Sequence, residues 1–240
     1  MYRTIGLGLL LLAGCARTQL GYADRVQPHG AGDWASDPLD PLRQPRRVLV
    51  KLIAYRLAAA QAAAADEALA FEDPNVRVVG QESFAAHGMR VFVIQPRKLD
   101  LLARRLKDQG AAVTVRGGFI LESTLTEDVG PHQSRIVRLT YPGADGASSE
   151  SIGVDGSAVE VEAHPAPGGG SSVRVDPKLR RVGDTIALWG LPGLSASTVI
   201  DEDRALVFVP RRELADRFGS AFLGTAAGEV IVLAVTCAVR

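Results

Sequence analysis

The sequence predicts an α+β fold, in which strands and helices alternate over residues 45–125 and strands dominate residues 130–240. In the first part, runs rich in Val, Leu and Ile alternate with helical patterns. In the second part, short strands are separated by turns rich in Gly and Pro. Hydrophobic residues make up 47% of the 240 residues and charged residues 22%, which excludes a chain that is disordered throughout.

The first part begins with a predicted strand over residues 47–55. Residues 58–71 are nearly all alanine, and alanine has the highest helix propensity, so a helix is predicted there. Residues 82–87 predict a helical turn that ends at Gly88, because glycine is favoured just after a helix. No cofactor is expected at the helix over 58–71, since its small side chains favour close packing on a sheet.

A second strand is predicted over residues 89–94, and Pro96 then begins a helix that Gly110 ends. The apolar residues of this helix fall on one face, and they are Leu99, Leu102, Ala103 and Leu106. Strands over 112–116 and 119–125 follow. The pair Gly117-Gly118 between them is a two-residue hairpin signal.

The β-rich part, assigned as a subdomain over residues 126–240, carries a second hairpin signal at Asp155-Gly156. Beyond it, Val159, Val161 and Ala163 alternate with Glu160 and Glu162, which predicts one buried and one solvated sheet face. One short helix is expected over residues 211–218. Residues 228–239 form the longest apolar run, and we expect them to be a central strand.

The charge balance argues against nucleic acid as a partner. The chain has 27 basic and 27 acidic residues, so its formal net charge is zero. Binding to nucleic acid by overall charge needs a basic excess to neutralise phosphates. Two cysteines and four widely spaced histidines also supply too few ligands to favour a disulfide scaffold or a zinc site.

The N-terminus has the order of a bacterial export signal. Arg3 precedes an apolar run over residues 5–12, which is shorter than the roughly 20 residues that cross a bilayer as a helix. Residues 1–14 therefore predict a signal peptide rather than a permanent transmembrane segment. The open alternatives are an ordinary secretory signal that contains a cysteine by chance and a buried apolar N-terminus.

Residues Leu11-Leu12-Ala13-Gly14-Cys15 resemble the lipobox of bacterial lipoproteins. The resemblance implies cleavage before Cys15 and attachment of lipid to its thiol and its new amino group. The mature protein would then be anchored to a membrane without spanning it. In lipoproteins an Asp after the cysteine favours retention in the inner membrane, so Ala16 favours the outer membrane, facing the periplasm.

After the lipidated Cys15, residues 16–44 show no sustained periodicity and contain several turn signals, so residues 15–44 are predicted to be a flexible tether. A flexible chain of this length spans about 30 Å. Its residues Asp33, Asp37 and Asp40 lack the interleaved spacing and the Gly of a calcium loop.

Few residues in the body predict a catalytic or ligand-binding site. Cys237 lies in the last apolar run and is predicted to be a buried, inert thiol. The Gly-rich segment 168–172 lacks the Lys of a phosphate-binding P-loop, and Ser195 and Ser197 lie outside any G-x-S-x-G motif. The apolar turn over residues 189–194 is either a docking tip for a partner or a loop folded back on the core.

Two further resemblances concern the body. Residues 84–93 read Phe-Ala-Ala-His-Gly-Met-Arg-Val-Phe-Val and resemble the segment L-x-x-N-G-L/F-R-V-G-V of a group of uncharacterised secreted or lipid-anchored envelope proteins, with His87 in place of Asn. The C-terminus also resembles that group, because Pro210, a charged segment and Phe218-Gly219-Ser220-Ala221-Phe222 precede a final apolar strand. The group implies no site residues.

The segment Val182-Gly-Asp-Thr-Ile-Ala-Leu-Trp-Gly-Leu191 and the following strand over 204–210 resemble the closing part of the secretin homology region. The gate hairpin that secretins place between two such strands is missing here. This resemblance implies a β module used in assembly and does not imply a pore.

These observations favour a lipid-anchored envelope protein with a binding or assembly role and no enzymatic activity, whose partners are the membrane and other envelope proteins. One alternative is an accessory or secretin-like subunit of a secretion or outer-membrane complex. Another is a hydrolase that acts on envelope polymers, which would need a deep pocket with convergent ionisable groups.

Overall fold

The computed structural model describes residues 47–59, 77–121, 124–143, 146–182, 187–202, 204–211 and 217–240. All of them fall within one unit of the chain, Arg46–Arg240. The predicted signal peptide and tether, and nearly all of the Ala-rich helix predicted over 58–71, lie outside the described residues.

The described residues form eleven strands and three helices. The strands are β1 (Val48–Ala58), β2 (Met89–Ile94), β3 (Ala112–Leu121), β4 (Leu125–Asp128), β5 (Ser134–Gly143), β6 (Gly146–Pro165), β7 (Ser171–Arg181), β8 (Ala187–Trp189), β9 (Ala196–Ile200), β10 (Ala205–Pro210) and β11 (Glu229–Val239). The helices are α1 (Gln81–Ala86), α2 (Pro96–Asp108) and α3 (Phe218–Leu223).

The strands form two sheets in which every pair is antiparallel. Sheet A has five strands in the order β2-β10-β11-β1-β3. In sheet B, β6 and β7 pair with each other at the centre. β5 and β4 pair with the other edge of β6, and β8 and β9 pair with the other edge of β7.

The predicted α+β fold with an alternating part (45–125) and a β-rich part (130–240) is wrong. Strands take up 59% of the described residues and helices 16%. The first part does not build its own layer, because its strands β1, β2 and β3 share sheet A with the two last strands of the chain. β10 and β11 lie between β2 and β1, a long-range arrangement that local sequence patterns do not report.

Both predicted glycine hairpins are β-bulges inside continuous strands. In β3, Gly117 pairs with Lys51 and Phe119 with Val50, so Gly118 is an extra residue. In β6, one extra residue is accommodated between Val154 and Ser157, where Gly156 has a φ of +82°. In the β6 bulge, glycine permits the left-handed backbone of residue 156, just as it permits a tight turn.

The centre of sheet A is buried on both faces. On β11, Ile231, Leu233 and Val235 face a core shared with sheet B, whereas Val232 and Ala234 face a second core against α2. Because both faces are covered, the strand reads as one continuous apolar run. The prediction that residues 228–239 form a central strand is confirmed.

Helix α2 covers the second core with the face that the sequence predicts. Leu102 and Leu106 are buried, and Leu99 and Ala103 pack beside them. The helix ends as predicted at Gly110, which has a φ of +83°. The N–H of Gly110 donates to the carbonyl of Lys107 and that of Ala111 to the carbonyl of Leu106, the pattern of a Schellman cap.

The two segments that resemble envelope proteins meet in space. Gly88, with a φ of +82°, ends α1 as predicted. The N–H of Gly219, at the start of α3, donates to the carbonyl of His87 over 2.7 Å, and the N–H of Arg211 donates to the carbonyl of Gly88 over 2.9 Å. A Cβ on Gly219 would lie 2.7 Å from the Gly88 oxygen and closer still to the Met89 side chain. Only glycine fits at position 219 without a shift.

We predict that Gly219→Ala lowers the free energy of unfolding by about 1–3 kcal/mol, because the added methyl group overpacks this contact. The control is Gly168→Ala in the turn between β6 and β7, where a Cβ meets nothing within 4 Å. That variant should stay within about 0.5 kcal/mol of the parent chain. Urea denaturation measures both, and equal midpoints for the two variants would contradict the contact.

Candidate functional site

Of the two cysteines, the structure describes Cys237 and not Cys15. Cys15, the predicted lipidation site, lies outside the described residues. Cys237 on β11 is buried against the shared core, and burial raises the pKa of its thiol to about 12. At neutral pH the thiol is protonated, and a protonated thiol is neither a good nucleophile nor a good metal ligand. Cys237 is therefore the buried, inert thiol that the sequence predicts.

The outward side of sheet B is covered with paired charges, and we call it the charged face. Val159 and Val161 of β6 are buried while Glu160 and Glu162 point outward, so the predicted alternation is confirmed. The charged face consists of Asp128, Glu160, Glu162, Arg174, Asp176, Lys178 and Arg180.

Each basic residue of the charged face has an acidic partner. Lys178 Nζ lies 2.9 Å from Glu160 Oε2, and Arg180 Nε lies 2.5 Å from Asp128 Oδ1. Arg174 donates two hydrogen bonds of 3.1 Å to the carboxylate of Asp176. Since both signs are interspersed, the charged face offers no single-sign surface to an anionic or cationic polymer.

Two histidines border the charged face. His132 Nε2 lies 3.0 Å from Asp128 Oδ2, and His164 Nε2 lies 3.0 Å from Glu162 Oε1. Both rings are largely exposed. Within the described ranges, no group of three or more His, Cys, Asp or Glu side chains is placed to hold a metal ion.

Two of the cavities on the described surface are small. The first, which we call the Arg56 cleft, has a volume of about 180 Å³ and is lined by Ala54, Arg56, Thr114, Val129, Gly130, Pro131 and Ile231. Its one charged lining group, Arg56, lies 3.2 Å from Glu229 Oε2. The second holds about 150 Å³ on the charged face. Both are smaller than the roughly 300–1,000 Å³ of a typical ligand pocket.

His87 is partly buried at the end of α1. It caps α1, and its Nδ1 is buried with no hydrogen-bond partner among the described residues. Burial lowers the pKa of His87, and the nearby positive charge of Arg217 lowers it further. Arg217 in turn donates a hydrogen bond of 2.8 Å to the carbonyl of Thr140 on β5. The lowered pKa favours the neutral form of His87, which lies at the junction between α1, α3 and β5.

The apolar turn over residues 189–194 is folded back on the core. Trp189 packs edge-on against Tyr141 and lies 5.8 Å, centroid to centroid, from Phe218. Leu191 packs against the same core, and Leu194 is buried. Of the two interpretations left open by the sequence, the structure supports the core loop and not the docking tip.

The remaining candidate residues have structural roles in the described chain. Gly169 and Gly170 have positive φ in the turn between β6 and β7. Ser197 on β9 exchanges two backbone hydrogen bonds with Val79. Asp201 and Glu202 are exposed in the turn before β10.

Sequence reasoning missed the exposed edge of sheet A. Among the described strands, β3 pairs only with β1, and its residues Ala112, Val113, Thr114 and Val115 are all exposed. The run of uncharged, mostly β-branched residues in the sequence could have indicated this edge. The hairpin prediction concealed it, because a hairpin partner would have covered this edge.

No family model, curated protein or solved structure matches this chain. The similarities to lipoproteins, to the envelope-protein group and to secretins therefore stay predictions that rest on the residues quoted for them. None of the helices in the described part of the chain is long and apolar enough to span a membrane.

We predict that the unfolding free energy falls as the pH drops from about 7 to about 5, because unfolded His87 binds a proton near its ordinary pKa while folded His87 resists it. This stabilising contribution is present above the ordinary histidine pKa and is lost as the pH falls below it. His87→Asn, which puts the residue of the envelope-protein group at this position, should flatten the pH dependence. Urea titrations across this pH range measure both chains, and parallel curves for parent and variant would contradict the assignment.

Proposed function

We propose that this protein is a lipid-anchored protein of the bacterial cell envelope whose body has a binding or assembly role rather than a catalytic one. The observation that carries the proposal is the order of Arg3, the apolar run over 5–12 and the sequence Ala13-Gly14-Cys15 at the N-terminus. Acylation at Cys15 would hold the chain at a membrane, and two or more acyl chains make such anchoring stable.

The chain between Cys15 and the body supports this proposal. Residues 16–44 carry turn signals and no sustained period, and the body lies in the unit Arg46–Arg240. If these residues form the flexible tether that the sequence predicts, the body can reach partners about 30 Å from the membrane. Ala16 after the cysteine favours the periplasmic side of the outer membrane.

The chemistry of the described body supports a role in binding. Burial keeps the thiol of Cys237 protonated, and the basic groups of the charged face are held by neighbouring carboxylates. The Arg56 cleft is small and has one charged lining side chain. The body presents broad sheet surfaces instead, which suit contacts with a macromolecule.

A second candidate is a subunit of a larger envelope complex, such as a secretion or outer-membrane assembly. The uncharged, exposed edge of β3 favours it, since a free strand edge is a template for pairing with another chain.

We predict that the chain incorporates an alkyne-tagged fatty acid in a Gram-negative host and that Cys15→Ser abolishes the labelling. The matched control is Cys237→Ala, which should leave the label intact because Cys237 is buried in the body. Mass spectrometry of the N-terminal peptide identifies the modified atom. A free thiol at Cys15, or an uncleaved leader, would contradict the proposal.

A further inference from the structure

The first four residues of β3 lack the devices that keep strand edges apart, and the charged residue Arg116 follows them. Ala112, Val113, Thr114 and Val115 are exposed and uncharged, and Val113 and Val115 expose 46% and 54% of their surface. Native proteins normally protect an edge with charged side chains, proline, a bulge or a very short strand. In β3 the bulge at Gly118 comes only after these four residues.

The other free edges among the described strands do have such protection. β8 has three residues, and β4 ends in Glu127 and Asp128. β2 carries Arg90, and β5 carries Arg135 and Arg138. The free side of β9 is occupied by the backbone pair of Val79 with Ser197. β3 also carries one charge, Arg116, but residues 112–115 before it are regular, uncharged and exposed, whereas β2 is mostly buried.

We propose that β3 pairs in the antiparallel direction with β3 of a second copy of this chain, so that the two five-stranded sheets become one continuous sheet. A two-fold axis at Thr114 makes the pairing antiparallel, as such a symmetric interface requires. The axis sets Val113 opposite Val115 of the other copy, once on each side of Thr114, and these side chains lie on the same sheet face.

The sequence of this edge fits a second copy as its occupant. Cross-strand pairs of β-branched residues are favourable, and like charges directly opposite each other are unfavourable. Residues 112–115 carry no charge, so this pairing sets no like charges against each other along them. The two-fold axis meets β3 at Thr114, which also lines the Arg56 cleft, so the two clefts of the dimer lie beside the axis.

This pairing involves a different part of the chain from Cys15 and stands or falls independently of the lipid anchor. If the anchor is present as well, confinement of both copies to one membrane raises their effective concentration. If the β3 edges of two copies pair only weakly in solution, a larger fraction of the copies is then paired at the membrane.

The first test measures the oligomeric state of the full chain in detergent by sedimentation. We expect a dimer, and we expect Val115→Lys to weaken it by about tenfold or more, because the two-fold axis places two lysines in one short interface. The matched control is Val199→Lys on β9, since Val199 is exposed to 51% of its surface and lies away from β3. At a protein concentration low enough for the parent chain to be monomeric, both variants should unfold at the same urea concentration as the parent, which separates association from folding.

The second test uses disulfide formation to locate the axis. In a Cys15→Ser background, Thr114→Cys should form a disulfide between two copies, because directly opposed Cα atoms in an antiparallel pair are about 4.5–5.5 Å apart. The control is Thr126→Cys, at an equally accessible position on β4. The buried Cys237 is the same in both chains.

The proposal is overturned if the parent chain sediments as a monomer at every concentration reached. It is also overturned if Val115→Lys and Val199→Lys associate equally, or if Thr114→Cys cross-links no more than Thr126→Cys. A parent chain that instead captures a different protein at this edge, while remaining monomeric alone, counts against the second copy.

Discussion

The pairing of the first strand with the last strand is the constraint on which the rest of the structure depends. β1 and β11 pair over their whole length, from Val48 opposite Val239 to Ala58 opposite Glu229. Arg47 and Arg240 extend the pair with two reciprocal backbone hydrogen bonds of 2.9 and 2.8 Å. The centre of sheet A is therefore made from the two ends of the body, and neither sequence half that was predicted as a separate part contains it.

The layers around this pair explain which patterns the sequence shows. Sheet A is covered by sheet B on one face and by α2 on the other, so β11 is apolar from Val230 to Val235 and its central position was predictable. Sheet B is covered on one face only, so β6 alternates and its solvated face was predictable. The caps at Gly88 and Gly110 were also predictable, because they depend on residues within one turn of their helices.

What the sequence could not predict depends on partners far along the chain. A pair such as Gly117-Gly118 suits a tight turn or a bulge, and the choice depends on β1, which lies more than 50 residues away. The free edge of β3 was hidden for the same reason, since strand order decides which strands are edges. The contact of Gly219 with Gly88 joins two segments whose resemblance was visible, but their contact required the fold.

Hydrogen exchange in a chain truncated after Gly228, which lacks β11, tests this account most directly. Sheet B packs on the inner face of sheet A, so the account predicts that loss of β11 removes the protection of the backbone amides of β6 and β7 as well as those of β1. Persistent protection of β6 and β7 in the truncated chain would contradict it, because sheet B would then fold without the pairing of the first and last strands.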